Sequence, residues 1–495
     1  MQRAVVLMVS IGVFAAANIT RADPTRVILF IGDGFGAAQT SFGLAYAQMV
    51  EGRQLAIERL MRDGNTGYAL SIAYESPVTD SAAAATQMST GVNVRNETLG
   101  LDPDGRALET IVEWAEKRGI ATGMVTNMRL SHATPAAFGS HQISRYEPEP
   151  VIVDEILSLD IDLLLAGGGR ALVPKGRRLS DFLPDVPSEL DGESNRSDAQ
   201  NRIDGARSRG YHVVSTASQL IEVSKGTRRL LGLFAASHLP YVVDRRLLGL
   251  EEVPALDVMT RVSLDVLERS ESGFLLVVEA GRIDYAGHDN DAGTMLQEIL
   301  EFDRAIQVGM DFQGRYPETL VVVTADHGTG GFSFTYGDWE GLPDPMALES
   351  GLVYRPEHRY PTVEHLARLG QQSASFELML ERARGGAERL VEVVRAHTGL
   401  SMTLDEARGA LLRDDAGRAR TVDFRHFYGD PASTPACLLG RALARHTHVV
   451  WSTGGHTSEP VLTYARGPSA ERFRGIYSHA RVYEIVKSVL ESPSE

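Results

Sequence analysis

Five short segments carry the groups that could do chemistry. FIGDGFG holds Asp33, PVTDSAAAATQMSTG holds Asp80 and Ser81, EAGRIDYAGH holds Glu279, Asp284 and His288, TADHGTGG holds Asp326 and His327, and STGGHTSEP holds His456. Asp80 and Ser81 stand at the mouth of an alanine-rich helix. As a cap they would satisfy free amides there. A functional reading of the pair would need partners elsewhere in the chain. Asp33 is flanked by glycines that permit close approach of backbone or ligand, or else it caps the next helix. Asp284 and His288 are one helical turn apart, so one metal could take both, the other reading being an ion-paired trio with Glu279. Together these carboxylates and imidazoles are the donor set that binds Zn²⁺, with hard oxygens suited to Mg²⁺.

The elements that must position them are legible as apolar runs. RVILFIGDG, GIATGMVTN, DIDLLLAGGG, RLLGLFAAS, GFLLVVEAG and TLVVVTADHG read as buried strands. Between several of them lie amphipathic stretches such as ALETIVEWAEKRG and TMLQEILEFDRAI. Strands alternating with helices predict an α/β fold, a three-layer sandwich with a mostly parallel sheet covered on both faces. Ligands in such folds sit beyond the carboxyl ends of the strands. Asp33, Glu279 with Asp284, and Asp326 with His327 follow apolar runs in that way. Residues of about 180–209 read as a surface excursion. A variable insertion of about 333–448, crown-like or lid-like, precedes HVVWSTGGHTSEPVLTYARGP, which reads as strand, loop, strand. The ten histidines other than His132, His288, His327 and His456 read as ordinary polar residues.

The composition bounds the function. With 495 residues, 43% hydrophobic and 23% charged, the chain has the make-up of a soluble globular protein. A formal net charge of −16 argues against nucleic acid as a partner. A phosphate anion would need local positive charge from a metal or an arginine. Residues 1–22 read as an export signal, the alternative being a retained anchor, and no other stretch is apolar for long enough to span a bilayer. The mature domain is then 23–495, exported to a periplasm or secreted. Cys437 is the one cysteine, which excludes an intramolecular disulfide and reads as buried and inert.

The chain resembles the alkaline phosphatases. The resemblance is carried in order by FIGDGFG, VTDSAAAATQMSTG, TNMRLSHATPAAFGSHQISR, LGLFAASHLPY, VVEAGRIDYAGH, TADHG and GGHT. It implies a metal-dependent phosphomonoesterase in which Ser81 attacks phosphorus and Arg145 clamps the phosphoryl oxygens, with Asp80 orienting the arginine. It implies two zinc ions, one held by Asp284, His288 and His456 and the other by Asp33, Asp326 and His327, and one magnesium ion held by Asp33, Thr134 and Glu279. The best-known bacterial members have an aspartate where His132 stands and a lysine where Tyr285 stands. Both positions border the substrate phosphate, and His132 is expected to act behind the magnesium rather than on it. The substrates implied are small phosphate monoesters, and a homodimer is admitted. A phosphodiesterase or sulfatase of the same superfamily is the nearest rival, and a non-catalytic phosphate-binding or metal-storage protein the rival of a different class. Ser81 and Arg145 favour the monoesterase.

Overall fold

The computed structural model of the protein describes residues 25–223, 226–337, 341–411 and 433–491; the segment read as an export signal lies outside them. Ten strands form the main sheet. They are β1 (Arg26–Gly32), β2 (Asn65–Leu70), β3 (Ala121–Arg129), β4 (Leu163–Gly167), β5 (His212–Val214), β6 (Leu230–Leu233), β7 (Phe274–Ala280), β8 (Thr319–Ala325), β9 (Val461–Arg466) and β10 (Gly475–Ser478). Their order across the sheet is β10-β2-β9-β8-β1-β7-β3-β4-β6-β5. Only β9 runs antiparallel to its neighbours. The six apolar runs read from the sequence are β1, β3, β4, β6, β7 and β8.

A strand points alternate side chains to opposite faces, and this splits each apolar run between two cores. Ile28 and Phe30 of β1 join Val278, Val323 and Phe302 on one face. Val27, Leu29 and Ile31 join Val277, Leu320 and Val322 on the other. Helices cover both, which is the three-layer arrangement the sequence predicts. The helix Ala292–Arg315 is buried on most of its surface, because the sheet lies on one side of it and further helices on the others.

The register of the central strands sets the site. Gly32 of β1 pairs with Ala280 of β7 and Ala325 of β8, so the three strands end at one level. Asp33 and Asp326 therefore leave neighbouring strands side by side. Gly34 has φ +72°, and a Cβ there would stand 2.7 Å from Asp284 Cα. Its amide donates to Asp326 Oδ1 at 3.0 Å. Only glycine fits that turn, which lets the segments after β1, β7 and β8 meet.

The helix Ser81–Thr90 is buried along its whole length, which is why it is built of alanine and small polar residues. Asp80 caps it by accepting from Ala83 N at 2.9 Å, and Gly91, at φ +77°, ends it. The stretch ALETIVEWAEKRG forms a shorter helix than its periodicity suggests, Ile111–Glu116, because Thr110 and Glu113 make a capping box that fixes its start. The 180–209 excursion is only partly superficial. Leu179, Leu183 and Val186 are buried beneath it, and the buried Arg196 pairs with Asp154 and Asp198.

The 333–448 region leaves the fold through a ribbon in which Phe332–Phe334 pairs antiparallel with Val449–Trp451. Its helices include Phe376–Arg382, Ala387–Thr398 and Thr434–Thr447, packed around a small core of their own that contains Phe376, Met379, Leu390 and Leu439. Asp291 ties this region to the main domain. It accepts from Thr294 N at 3.1 Å and Thr294 Oγ1 at 2.7 Å in the helix Ala292–Arg315, and from Phe376 N and Gln372 Nε2, both at 2.7 Å, across the junction. Cys437 is buried, and its thiol donates to the His288 carbonyl at 3.0 Å. Among the described residues no helix is long and apolar enough to cross a membrane.

One buried carboxylate thus caps the helix Ala292–Arg315 and takes the first amide of Phe376–Arg382, whose own cap is Ser375. Asp291→Ala should lower the unfolding free energy by about 3 kcal/mol, through loss of its cap and the donors left bare. A thermal melt reads this as a midpoint several degrees lower. An unchanged midpoint would show that the region is held without this carboxylate.

Candidate active site

Ser81 opens its helix immediately after the Asp80 cap and is 1% exposed. Its Oγ lies 3.2 Å from His327 Nε2 and 3.4 Å from Arg145 Nη1. Arg145 is held by Asp80 Oδ2 at 3.1 Å, while Asp80 Oδ1 accepts from Ala83 N and Glu97 N. The cap and catalytic readings of Asp80 are therefore not exclusive. One oxygen caps the helix and the other fixes the guanidinium beside Ser81.

His327 Nε2 is the point where several groups converge. It lies 3.1 Å from Asp326 Oδ2 and 3.6 Å from Asp33 Oδ1. A second group gathers at Asp284. His288 Nε2 is 3.2 Å from Asp284 Oδ2 and 3.2 Å from His456 Nε2, which is 3.7 Å from Asp284 Oδ1. In both histidines Nδ1 donates to a backbone carbonyl, Gly454 O at 2.6 Å for His288 and Thr79 O at 3.0 Å for His456. Nε2 of each thereby faces inward, the orientation a metal-binding imidazole needs. The His327 and His456 rings stack with centroids 3.5 Å apart, and Asp284, His327 and His456 have donor atoms within 4.8 Å of one another. His327 thus stands between the two groups. A third group unites Asp33, His132 and Glu279, with His132 Nδ1 3.0 Å from Glu279 Oε1 and 3.9 Å from Asp33 Oδ2. His132, expected to act at one remove, pairs with Glu279.

The electrostatics follow from burial and crowding. Asp33, Glu279, Asp284 and Asp326 are all at most 3% exposed. Burial, then the charges of Asp326, Asp284 and Glu279, push Asp33 well above the ordinary carboxylate range. Burial opposes ionisation of Asp284 too, but His288, His456 and His327 outweigh it and hold Asp284 well below that range. Burial also works against charge on His288, yet Asp284 beside it raises its pKa to about 9. His456 is pushed down to about 3 by burial and by His327.

Several buried atoms of the cluster have no hydrogen-bond partner among the described residues: both oxygens of Asp33, Asp326 Oδ2 and His132 Nε2; the buried Thr134 Oγ1, two residues along from His132, has none either. Buried polar atoms are otherwise nearly always paired. Such bare oxygens at one place fit cations, and the donors sort by type. Imidazole with carboxylate suits zinc, and carboxylate with hydroxyl suits magnesium. Asp33 turns one oxygen toward each of two groups.

Tyr285 lies beside His132, with ring centroids 5.9 Å apart, so the two positions that depart from the best-known bacterial pattern are neighbours. Other residues at the site escaped the sequence reading. Thr329 Oγ1 donates to Asp284 Oδ1 and Thr126 Oγ1 to Glu279 Oε2. Both threonines lie close to residues already singled out, a signal only of proximity. Two histidines read as ordinary also border the cluster. His479 Nε2 reaches the Asp326 carbonyl at 2.7 Å, and His238 packs against His132 and Tyr285. No motif marked His479. His238 lies within LGLFAASHLPY, but its neighbours come from other strands.

Comparison with known proteins agrees with this geometry. The alkaline phosphatase family profile matches residues 25–492. Alkaline phosphatase 3 of Bacillus subtilis is 30% identical over 482 residues, which cover 94% of this chain and 88% of that protein. The alkaline phosphatase of Escherichia coli is 32% identical over 343 residues, 61% of this chain and 69% of that protein. The crystal structure of Thermus thermophilus alkaline phosphatase superposes with a TM-score of 0.79 at 30% identity, covering 95% of this chain and 92% of that one. With the profile spanning nearly its whole length and the fold shared, the chain belongs to the alkaline phosphatase family.

Proposed function

We propose that this phosphomonoesterase transfers the phosphoryl group first to Ser81 and then to water, at a centre of two zinc ions and one magnesium ion. The observation that carries the reading is the placement of the Ser81 hydroxyl, between Arg145 and the carboxylate–imidazole cluster, at a helix start. Asp284, His288 and His456 would hold one zinc. Asp33, Asp326 and His327 would hold the other, since His327 Nε2 lies nearest Asp326 and Ser81. Asp33, Thr134 and Glu279 would hold magnesium, with His132 against Glu279. Bound there, such ions supply Lewis-acid stabilisation of oxyanions and favour the ionised forms of a hydroxyl and of water.

The chain's own groups do the rest. Arg145, fixed by Asp80, offers a planar fork to two free phosphoryl oxygens. The helix Ser81–Thr90 turns its amide end toward the incoming anion. The Ser81 Oγ–P bond forms as the ester P–O bond breaks and the alcohol leaves. Water then attacks phosphorus, the serine oxygen departs and phosphate is released. A fork that grips two free oxygens favours a monoester over a diester. Residues 1–22 support export, and the chain's charge of −16 supports small phosphate esters rather than nucleic acid as its partners.

Three measurements test this reading. Ser81→Ala should lower kcat by about 10³-fold or more with metal content retained. In the wild type, acid-quenched turnover should yield one phosphopeptide, labelled at Ser81, and label elsewhere would remove Ser81 from the role. Asp284→Ala and His456→Ala should each lose zinc by elemental analysis and reduce activity by about 10²-fold or more. A full metal complement in either variant would remove that residue from the ligand set. The wild type should also cleave p-nitrophenyl phosphate about 10²-fold or more faster than bis(p-nitrophenyl) phosphate, because a site built to pair free oxygens discriminates against their loss. Faster diester cleavage would favour the diesterase alternative.

A further inference from the structure

Next to His132 and Tyr285 stands a group of cationic side chains that the hydrolytic machinery leaves unused. Arg129 ends β3. Its Nη1 lies 2.6 Å from His238 Nε2, and its backbone N–H meets His238 Nδ1 at 3.2 Å. A guanidinium and an amide N–H only donate, while a neutral imidazole has one accepting nitrogen. Whichever nitrogen bears the proton, a donor faces a donor. The Tyr285 hydroxyl, 3.3 Å from the same Nε2, is the other polar group there. Arg129 Nε is buried without a hydrogen-bond partner, and the carboxylate it approaches at 3.5 Å, Glu149, is already bound by Arg170. Arg282 lies 3.7 Å above the Tyr241 ring and 5.5 Å from that of Tyr285. Its Nε is likewise buried without a partner, and it makes no ion pair among the described residues. Arg129 and Arg170 thus share the one carboxylate of Glu149, in a chain of net charge −16.

We propose that Arg129, His238 and Tyr285 form a second anion subsite, which takes a phosphate group carried by the leaving alcohol. The proposal rests on the phosphomonoesterase reading of the Ser81 site and adds a preference for bisphosphorylated substrates. Arg145 is the guanidinium at Ser81. Arg129 is tied instead to His238 and Tyr285, whose rings lie 5.8 and 5.9 Å from that of His132. The subsite therefore borders the phosphoryl pocket without being part of it. The Arg129 side chain is 22% exposed, and His238 and Tyr285 are half-buried, so solvent reaches this edge. The Tyr285 hydroxyl is the one neutral acceptor there and already meets the Arg129 side chain; an anionic oxygen entering beside it provides a charged acceptor, and a guanidinium suits phosphate oxygens in particular.

The probes are propane-1,3-diol bisphosphate and propyl phosphate, which differ by the second phosphate. At low ionic strength the wild type should show kcat/KM about tenfold or more higher for the bisphosphate, a preference that shrinks as salt is added. Arg129→Gln should abolish the preference, mainly through KM, with propyl phosphate changed by no more than about threefold. Arg129→Lys should keep part of it, since the charge survives without the fork. The lysine variant and the salt dependence decide the matter if the glutamine variant folds poorly. Equal loss on both substrates, or no preference in the wild type, overturns the subsite and leaves the phosphomonoesterase reading intact. Failure to hydrolyse propyl phosphate at all would count against that reading instead.

Discussion

Four carboxylates with almost no access to water stand at one end of the sheet, and the rest of the molecule is arranged around the cost of holding them there. Asp33, Glu279, Asp284 and Asp326 are each no more than 3% exposed. Buried like charges repel strongly and lose their hydration. The fold answers in parts. Backbone amides of Gly34 and His327 donate to Asp326 Oδ1, hydroxyls of Thr126 and Thr329 donate to Glu279 and Asp284, and three imidazoles lower the pKa of Asp284. Asp33 receives none of these bonds, and burial together with its charged neighbours pushes it well above the ordinary carboxylate range. Its two bare oxygens are each turned toward a different group, the arrangement that the proposed cations would balance.

The same constraint explains the economy around Ser81. In the role proposed for it, a hydroxyl beside this cluster must be buried, rigid and close to positive charge. A helix start supplies amides aimed outward, and small residues let that helix lie within the core along its whole length. Asp80 then serves two purposes with two oxygens, so the helix cannot shift without moving Arg145.

Support from behind is as specific as the first contacts. His288 and His456 present Nε2 inward because backbone carbonyls take their Nδ1 protons, and those carbonyls belong to Gly454 and Thr79, distant in sequence. The helical region of 333–448 reaches the same place, with Cys437 against the His288 carbonyl and Asp291 accepting from helix-end amides on both sides of the junction. The region is therefore part of what holds His288 in position, whatever else its exposed surface does.

The sequence by itself determined the layers and the chemistry on offer. Apolar runs too continuous for a half-exposed sheet implied strands covered on both faces, and the polar residues after them implied a site at one edge. Ser81, Asp284 with His288, and Asp326 with His327 stood out by local spacing, and the resemblance to the alkaline phosphatases implied their grouping. Tertiary structure decided how these groups come to meet. The register of β1, β7 and β8 aligns Gly32, Ala280 and Ala325, and so brings Asp33 to Asp326 and Asp284. Closure of the long insertion returns His456 to His288. His238, His479 and Arg129 were passed over for the same reason. A histidine or arginine at the end of a strand looks ordinary until the neighbouring strands are known. Spacing along a chain fixes what one helix or strand presents, whereas the partners across a sheet depend on pairings that single-strand patterns do not encode.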